Sequence, residues 1–393
     1  MFHKEFLTHD PEAPMGNVIP SPDTESKVSR DGLGNRIIAS KELAYETTEG
    51  RLAKAALLVS PAGEAFIKCN PGILRDLNNG LVEIEKFHKS EYEKSIASLS
   101  TADYYLAHKL PREWKQLSLG RDIYPLSEGS ESYVYVLRVS ENTEADPPSY
   151  KYYTIKTAKY ENKVSKNTID QPYINDLLQN QTLTKERGSE LNEIGVHVPE
   201  QYFATSELIC TEFTPAQERK TQDSDARMYA AITIAEDMIN EKKSSNDNLW
   251  ANIYPDYLQL DYSMPNGNFM TQRDLTLSWI DPFVKFKNHP GFPTDVQPFL
   301  NTQEIAGLPQ LSAQERVQAY IEAQKEIEPL LSTFFEYQYT KDPEDWKLKA
   351  ETLLSQYGQT INTEYGIRHA FIQAEKGILK KHGVRFMLTP LHK

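Results

Sequence analysis

Asn268-Phe269-Met270-Thr271-Gln272-Arg273-Asp274-Leu275-Thr276-Leu277-Ser278-Trp279-Ile280-Asp281 is the stretch on which the reading of this chain turns. It follows a Pro265-Asn266-Gly267 turn. An apolar pair, Phe269 and Met270, leads into a polar turn at Thr271–Asp274, and a second strand-like run, Leu275–Ile280, ends on Asp281. Two short strands joined by a polar turn make a hairpin. This one carries an amide at its entrance and a carboxylate at its exit. Hard oxygen ligands held in that way suit Mg²⁺ bridging nucleotide phosphates.

Composition sets the frame. The chain has 393 residues and a formal net charge of −13, which argues against an intrinsic binder of nucleic acid or of anionic membranes. Cys69 and Cys210 are the only cysteines, too few for a disulfide scaffold and with no CxxC for structural zinc. The nine histidines fall into no metal-binding spacing. No apolar run approaches the roughly 20 residues that span a bilayer, and the polar, proline-bearing N-terminus has no signal-peptide core. The expectation is a cytoplasmic protein without membrane insertion, with export as a bacterial effector left open.

Working back from the hairpin, Asp223–Asn240 has an amphipathic helical pattern. Before it, Glu207–Pro215 is an apolar strand ending in Thr211-Glu212-Phe213-Thr214-Pro215. Residues 169–194 read as a helix with Glu186 and Glu190 on a charged face. Lys151–Thr157 is a strand carrying Lys156, and Tyr124–Val139 is strand, small-residue turn, strand. In that turn Ser127, Gly129 and Ser132, with Val134 after them, are spaced as G-x-G-x-x-G-x-V.

Taken in order, these segments resemble protein kinases and kinase-like small-molecule phosphotransferases over about 124–290. The interval from Asn268 to Asp281, 281 − 268 = 13, resembles that between the two metal ligands of those enzymes. Thr211–Pro215 resembles the hinge of aminoglycoside phosphotransferases. The resemblance implies an α+β, bilobal kinase-like fold, with a small antiparallel N-lobe at 119–216 and a larger helical C-lobe at 217–393. A mostly helical extension, 1–118, would precede them.

It also implies ATP and Mg²⁺ as cofactors and a set of roles. The turn Ser127, Gly129, Ser132 and Val134 would cover the phosphates, Lys156 would hold them, and Glu186 (with Glu190 as rival) would pair with Lys156. Lys159 is the alternative lysine if the strand register differs. The backbone at Glu212, Phe213 and Thr214 would bind adenine, backed by Cys210 or Thr211. Asn268 and Asp281 would hold the metal. Asp261 would accept the acceptor hydroxyl's proton, although it lies 268 − 261 = 7 residues before Asn268. The kinase spacing of five falls on Ser263, and pairing Asp261 with Asn266 would stretch the second interval to 281 − 266 = 15. Pro282, in place of Phe-Gly, removes a flexible hinge.

The expected activity is transfer of the γ-phosphoryl group to a protein Ser/Thr hydroxyl. The alternatives are a small-molecule kinase and a pseudokinase that binds nucleotide or a partner. The extension reads as a loop over 1–36, then as helix over 40–118 broken near Pro61-Ala62-Gly63 and Asn70-Pro71-Gly72, with its clearest helix over 79–98. It would stabilise the fold or receive a partner or activator. Downstream, Ser312-Ala313-Gln314-Glu315 is a capping box opening a long helix, with further helices at about 342–357 and 364–381.

Overall fold

Strand-forming alternation around Lys156 resolves, in the computed structural model, into one member of an eight-stranded antiparallel sheet. The structure describes residues 30–39, 56–77, 79–80, 86, 90, 115–118, 120–128, 132–142, 149–159, 172–215, 223–245, 248–250, 253–255, 268–285, 310–337, 339–361 and 366–385. The class is α+β. The described residues divide into two compact units. One holds those up to Thr182 together with Pro199–Thr214, and the other holds Leu183–Val198 together with those from Pro215 onward. This division runs differently from 1–118, 119–216 and 217–393.

In the first unit the strands are β1 (Arg36–Ala39), β2 (Ala56–Val59), β3 (Lys115–Ser118), β4 (Arg121–Glu128), β5 (Ser132–Asn142) and β6 (Ser149–Ala158). With β8 (Gln201–Ala204) and β9 (Leu208–Glu212) they pair in the order β1-β2-β8-β9-β6-β5-β4-β3. Successive side chains on a strand point to opposite faces. On β6, Tyr153 and Ile155 enter a core with Tyr133, Tyr135, Leu137, Phe203 and Cys210. Thr154 and Lys156 take the other face.

The N-terminal part departs from the expected helical extension. β1 and β2 continue the sheet, β2 pairing with β8 through Leu58↔Ala204 and Val59↔Phe203. Pro61 is no break: it opens helix α1 (Pro61–Cys69), capped by the Ser60 hydroxyl, which accepts from the Gly63 amide at 2.9 Å. The fixed φ of proline and its missing N–H suit the first helical turn. Nor is Gly63 a break. A Cβ there would lie 1.8 Å from the Tyr202 carbonyl oxygen, so glycine lets the helix press on β8. The break at Gly72 is real, with φ +76. Most of 79–98 lies outside the described residues.

Phe66 of α1 packs on Tyr153 at 4.4 Å and on Tyr202 at 5.4 Å. Ile73, Leu74 and Leu77 extend the same core. Asp76, 5% exposed, is ion-paired to Arg121, 7% exposed, and Arg121 also reaches the Pro71 carbonyl at 2.8 Å. Removing either partner would strand a buried charge.

The second unit is mostly helical. Helix α2 (Pro172–Glu193) begins in the first unit and ends in this one. Helices α3 (Ser224–Ser244), α4 (Ala313–Glu336), α5 (Pro343–Ser355) and α6 (Gly366–Lys381) follow. The capping box at Ser312 forms as expected. The core gathers Ile232, Ala235 and Ile239 of α3 with Ala323 and Ile327 of α4 and Phe371 of α6.

A charged knot holds the chain end to this core. Arg385 donates from Nη1 to Glu236 at 2.8 Å and from Nη2 to Asp237, and its backbone N–H reaches the Tyr229 hydroxyl at 2.8 Å. Burial opposes the Arg385 charge, but Glu236 and Asp237 more than offset that and raise its pKa. Burial pushes Glu236 up to about 7, against the pull of Arg385.

Two outcomes follow from this packing. Gly63→Ala must move α1 off β8, and chemical denaturation should show a loss of about 2–3 kcal/mol; an unchanged midpoint would mean that α1 does not bear on the sheet. Between the ordinary carboxylate value of 4.5 and about 7, the unfolded chain gives up the Glu236 proton and the folded chain keeps it. Stability therefore falls as pH rises through that window. Relative to Glu236→Gln, the wild type should lose roughly 2–3 kcal/mol between the two ends of the window, measured by urea unfolding at each pH.

Candidate functional site

Within the second unit the quoted stretch is a hairpin. Strands β11 (Phe269–Thr271) and β12 (Leu277–Trp279) pair as Phe269↔Trp279, Met270↔Ser278 and Thr271↔Leu277. The ladder continues one step: the Ile280 N–H donates to the Asn268 carbonyl at 2.7 Å. Asn268 therefore stands across from Ile280, beside Asp281, and both side-chain bearers are half-buried. The entrance amide and the exit carboxylate share one end of the hairpin.

Neighbouring strands pin this end. β12 pairs in parallel with β7 (Val196–His197). Two residues after Asp281, β13 (Phe283–Lys285) begins and pairs with β10 (Ile253–Pro255), with Pro255 opposite Phe283. Trp279, fully buried, stacks on Phe269 at 4.7 Å and has Phe283 at 6.4 Å. Pro255 and Asn268, the described residues that flank 256–267, pair with Phe283 and Ile280 on either side of Asp281. Asp261, Ser263 and Asn266 fall in 256–267, outside the described residues.

In the first unit, sheet order brings the other candidates onto adjacent strands. Lys156 stands opposite Val134 of β5 on one side and Ile209 of β9 on the other. Adjacent strands lie about 5 Å apart, so these residues form one short row. Ser127 is the cross-strand partner of Val134, and Ser132 that of Ala158. Gly129 lies outside the described residues. Lys159 is buried with its ammonium 5.4 Å from the Tyr133 ring, on the tyrosine face and away from Lys156.

β9 ends at the hinge-like residues. The Glu212 N–H donates to the Glu200 carbonyl at 2.7 Å, and the Glu212 carboxylate accepts from the Glu200 N–H at 3.0 Å. Phe213 packs on Tyr152 at 5.9 Å. The Thr214 hydroxyl is buried with no partner, an orphaned polar atom next to backbone that is not in a ladder. Cys210 pairs across to Ile155 in the tyrosine core, where burial pushes its thiol up, so Thr211 is the one on the Lys156 face.

The two glutamates weighed as partners of Lys156 lie on the last turns of α2. Glu186 accepts from the Lys242 ammonium of α3 at 2.5 Å, and Glu190 accepts from Arg187 at 3.2 Å. Both belong to the second unit. Within the turns of α2 that belong to the first unit, 172–182, Asp176 is the only acid.

Among the described residues, no group of three or more His, Cys, Asp and Glu gathers as a metal site, and no helix is long and apolar enough to cross a membrane. No family model matches the chain, and no curated protein matches it.

At the hairpin's far end Leu275 takes φ +69, and its carbonyl accepts from Arg227 at 3.1 Å. A left-handed conformation strains any residue with a Cβ. Leu275→Gly should raise stability by about 0.5–1 kcal/mol in urea unfolding, the relief of strain exceeding glycine's entropic cost. A fall would show that the Leu275 side chain, 45% exposed, is an anchor.

Proposed function

We propose that the chain is an ATP- and Mg²⁺-dependent phosphotransferase of protein-kinase-like, bilobal build that passes the γ-phosphoryl group to a protein Ser/Thr hydroxyl. The observation that carries the reading is the pair at the hairpin end. The Ile280 N–H to Asn268 carbonyl bond closes the ladder at the end where an amide-bearing residue enters the hairpin and a carboxylate-bearing residue leaves it, and amide and carboxylate oxygens are donors that Mg²⁺ takes. The row Val134, Lys156, Ile209 supports it independently. It sets the turn after Ser127, the lysine and the strand leading to Glu212-Phe213-Thr214 on neighbouring strands.

In this reading Lys156 supplies a positive charge to the α- and β-phosphates. The backbone of 212–214 meets the adenine edge, with the orphaned Thr214 hydroxyl available to it. Asn268 and Asp281 hold the metal, which when bound neutralises phosphate charge. Asp261 accepts the proton of the acceptor hydroxyl. Such transfer rests on positioning and charge neutralisation more than on covalent chemistry. One second reading has an observation behind it: with Glu186 spent on Lys242, a nucleotide-binding pseudokinase would need no oriented lysine.

The test is transfer of radiolabel from ATP by the full chain, with casein and an aminoglycoside as separate acceptors. Asp281→Ala and Lys156→Ala should each reduce labelling of casein by at least about 100-fold. Labelling that survives both substitutions would remove this site from consideration. Labelling of the aminoglycoside alone would move the acceptor to small molecules. Saturable Mg·ATP binding without labelling, lost in both variants, would establish the pseudokinase.

A further inference from the structure

A concavity lies wholly in the second unit, apart from the hairpin. It is a cavity of about 600 Å³ between the last turns of α2, the middle of α3, the N-terminal cap of α4 and residues 383–385. That volume suits a small metabolite. Three arginines line it, Arg187, Arg316 and Arg385, with three acids, Glu190, Asp237 and Glu241.

The acids are spent on the arginines. Both Glu241 oxygens take Arg187 Nη2 at 2.6 Å, and Glu190 takes Nη1 at 3.2 Å. Asp237 gives one oxygen to Arg316 at 2.7 Å and the other to Arg385. What stays unspent is mostly donor. Arg187 Nε is buried with no acceptor. The Tyr229 hydroxyl accepts from the Arg385 N–H, and its own proton meets no acceptor among the described residues. The Asn240 amide, also in the lining, has no partner among them. A buried donor without an acceptor is costly, and Arg187 Nε, with the Tyr229 hydroxyl and the half-buried Asn240 amide lining the same cavity, calls for an acceptor-rich guest.

We infer that this cavity binds a small polar molecule through one oxyanion group, a carboxylate or a phosphate, taken up by Arg187 Nε, the Tyr229 hydroxyl and the Asn240 amide. The guest adds to the existing ion pairs and displaces none of them. This inference does not depend on phosphotransfer.

Isothermal titration of the full chain, with inorganic phosphate and with malonate at fixed ionic strength, separates the two sources of the oxyanion. At least one probe should bind saturably at one site in the millimolar range. Asn240→Leu breaks no bond among the described residues and should weaken that binding at least about tenfold, as should Arg187→Gln. If Arg187→Gln fails to fold, Asn240→Leu decides alone. Lys156→Ala and Asp281→Ala should leave the binding unchanged, which separates this cavity from the proposed nucleotide site. Absence of saturable binding by either probe would overturn the inference. So would binding that Asn240→Leu leaves intact, or binding lost with Lys156→Ala.

Discussion

A strand has two faces, and β6 needs them to be different. Tyr153 and Ile155 point one way and Thr154 and Lys156 the other, on a strand flanked on both sides. An inner strand can carry a lysine on one face only if the other face supplies the burial that holds the sheet together. Tyr133, Tyr135 and Phe203 supply it with Tyr153 and Ile155, each fully buried side chain of that size contributing about 1.5–3 kcal/mol. That aromatic face then needs a cover. α1 and residues 73–77 provide it, with Phe66 against Tyr153 and the Arg121–Asp76 pair tying the cover to β4. The N-terminal segment is therefore the layer that lets the opposite face be polar.

This explains what could be read in the sequence and what could not. The strands around Lys156, the hairpin at 268–281 and the capping box at Ser312 carry their signals locally, as alternation or as fixed offsets. β1 and β2 are four-residue runs whose stability comes from pairing with each other and with β8, far away in sequence. No local pattern marks them. Pro61 and Gly63 were legible as special residues but not as which kind. Proline ends a helix in its interior and opens one at its first turn, and only the Ser60 cap and the approach to Tyr202 decide between those meanings.

The partner of Lys156 shows a deeper limit. Residue spacing can say that a glutamate lies two turns before the end of a helix. It cannot say that the helix serves two packing units and that its charged last turns answer to α3. Once Lys242 and Arg187 are beside Glu186, Glu190 and Glu241, the local Coulomb attraction is satisfied within the second unit.

Rigidity at Asp281 follows from the same kind of accounting. Pro282 fixes its own φ, but a proline in a loose loop would still let the carboxylate swing. Here the chain enters Asp281 from a ladder closed by the Ile280–Asn268 bond and leaves it into β13, paired with β10. Trp279, with Phe269 stacked on one side and Phe283 nearby, fills the space into which the backbone would have to move. The backbone strain in the hairpin sits at Leu275, at the opposite end from the amide and the acid. A carboxylate entered and left through paired backbone in this way is poorly suited to act as a switch, because its end of the hairpin is held on both sides.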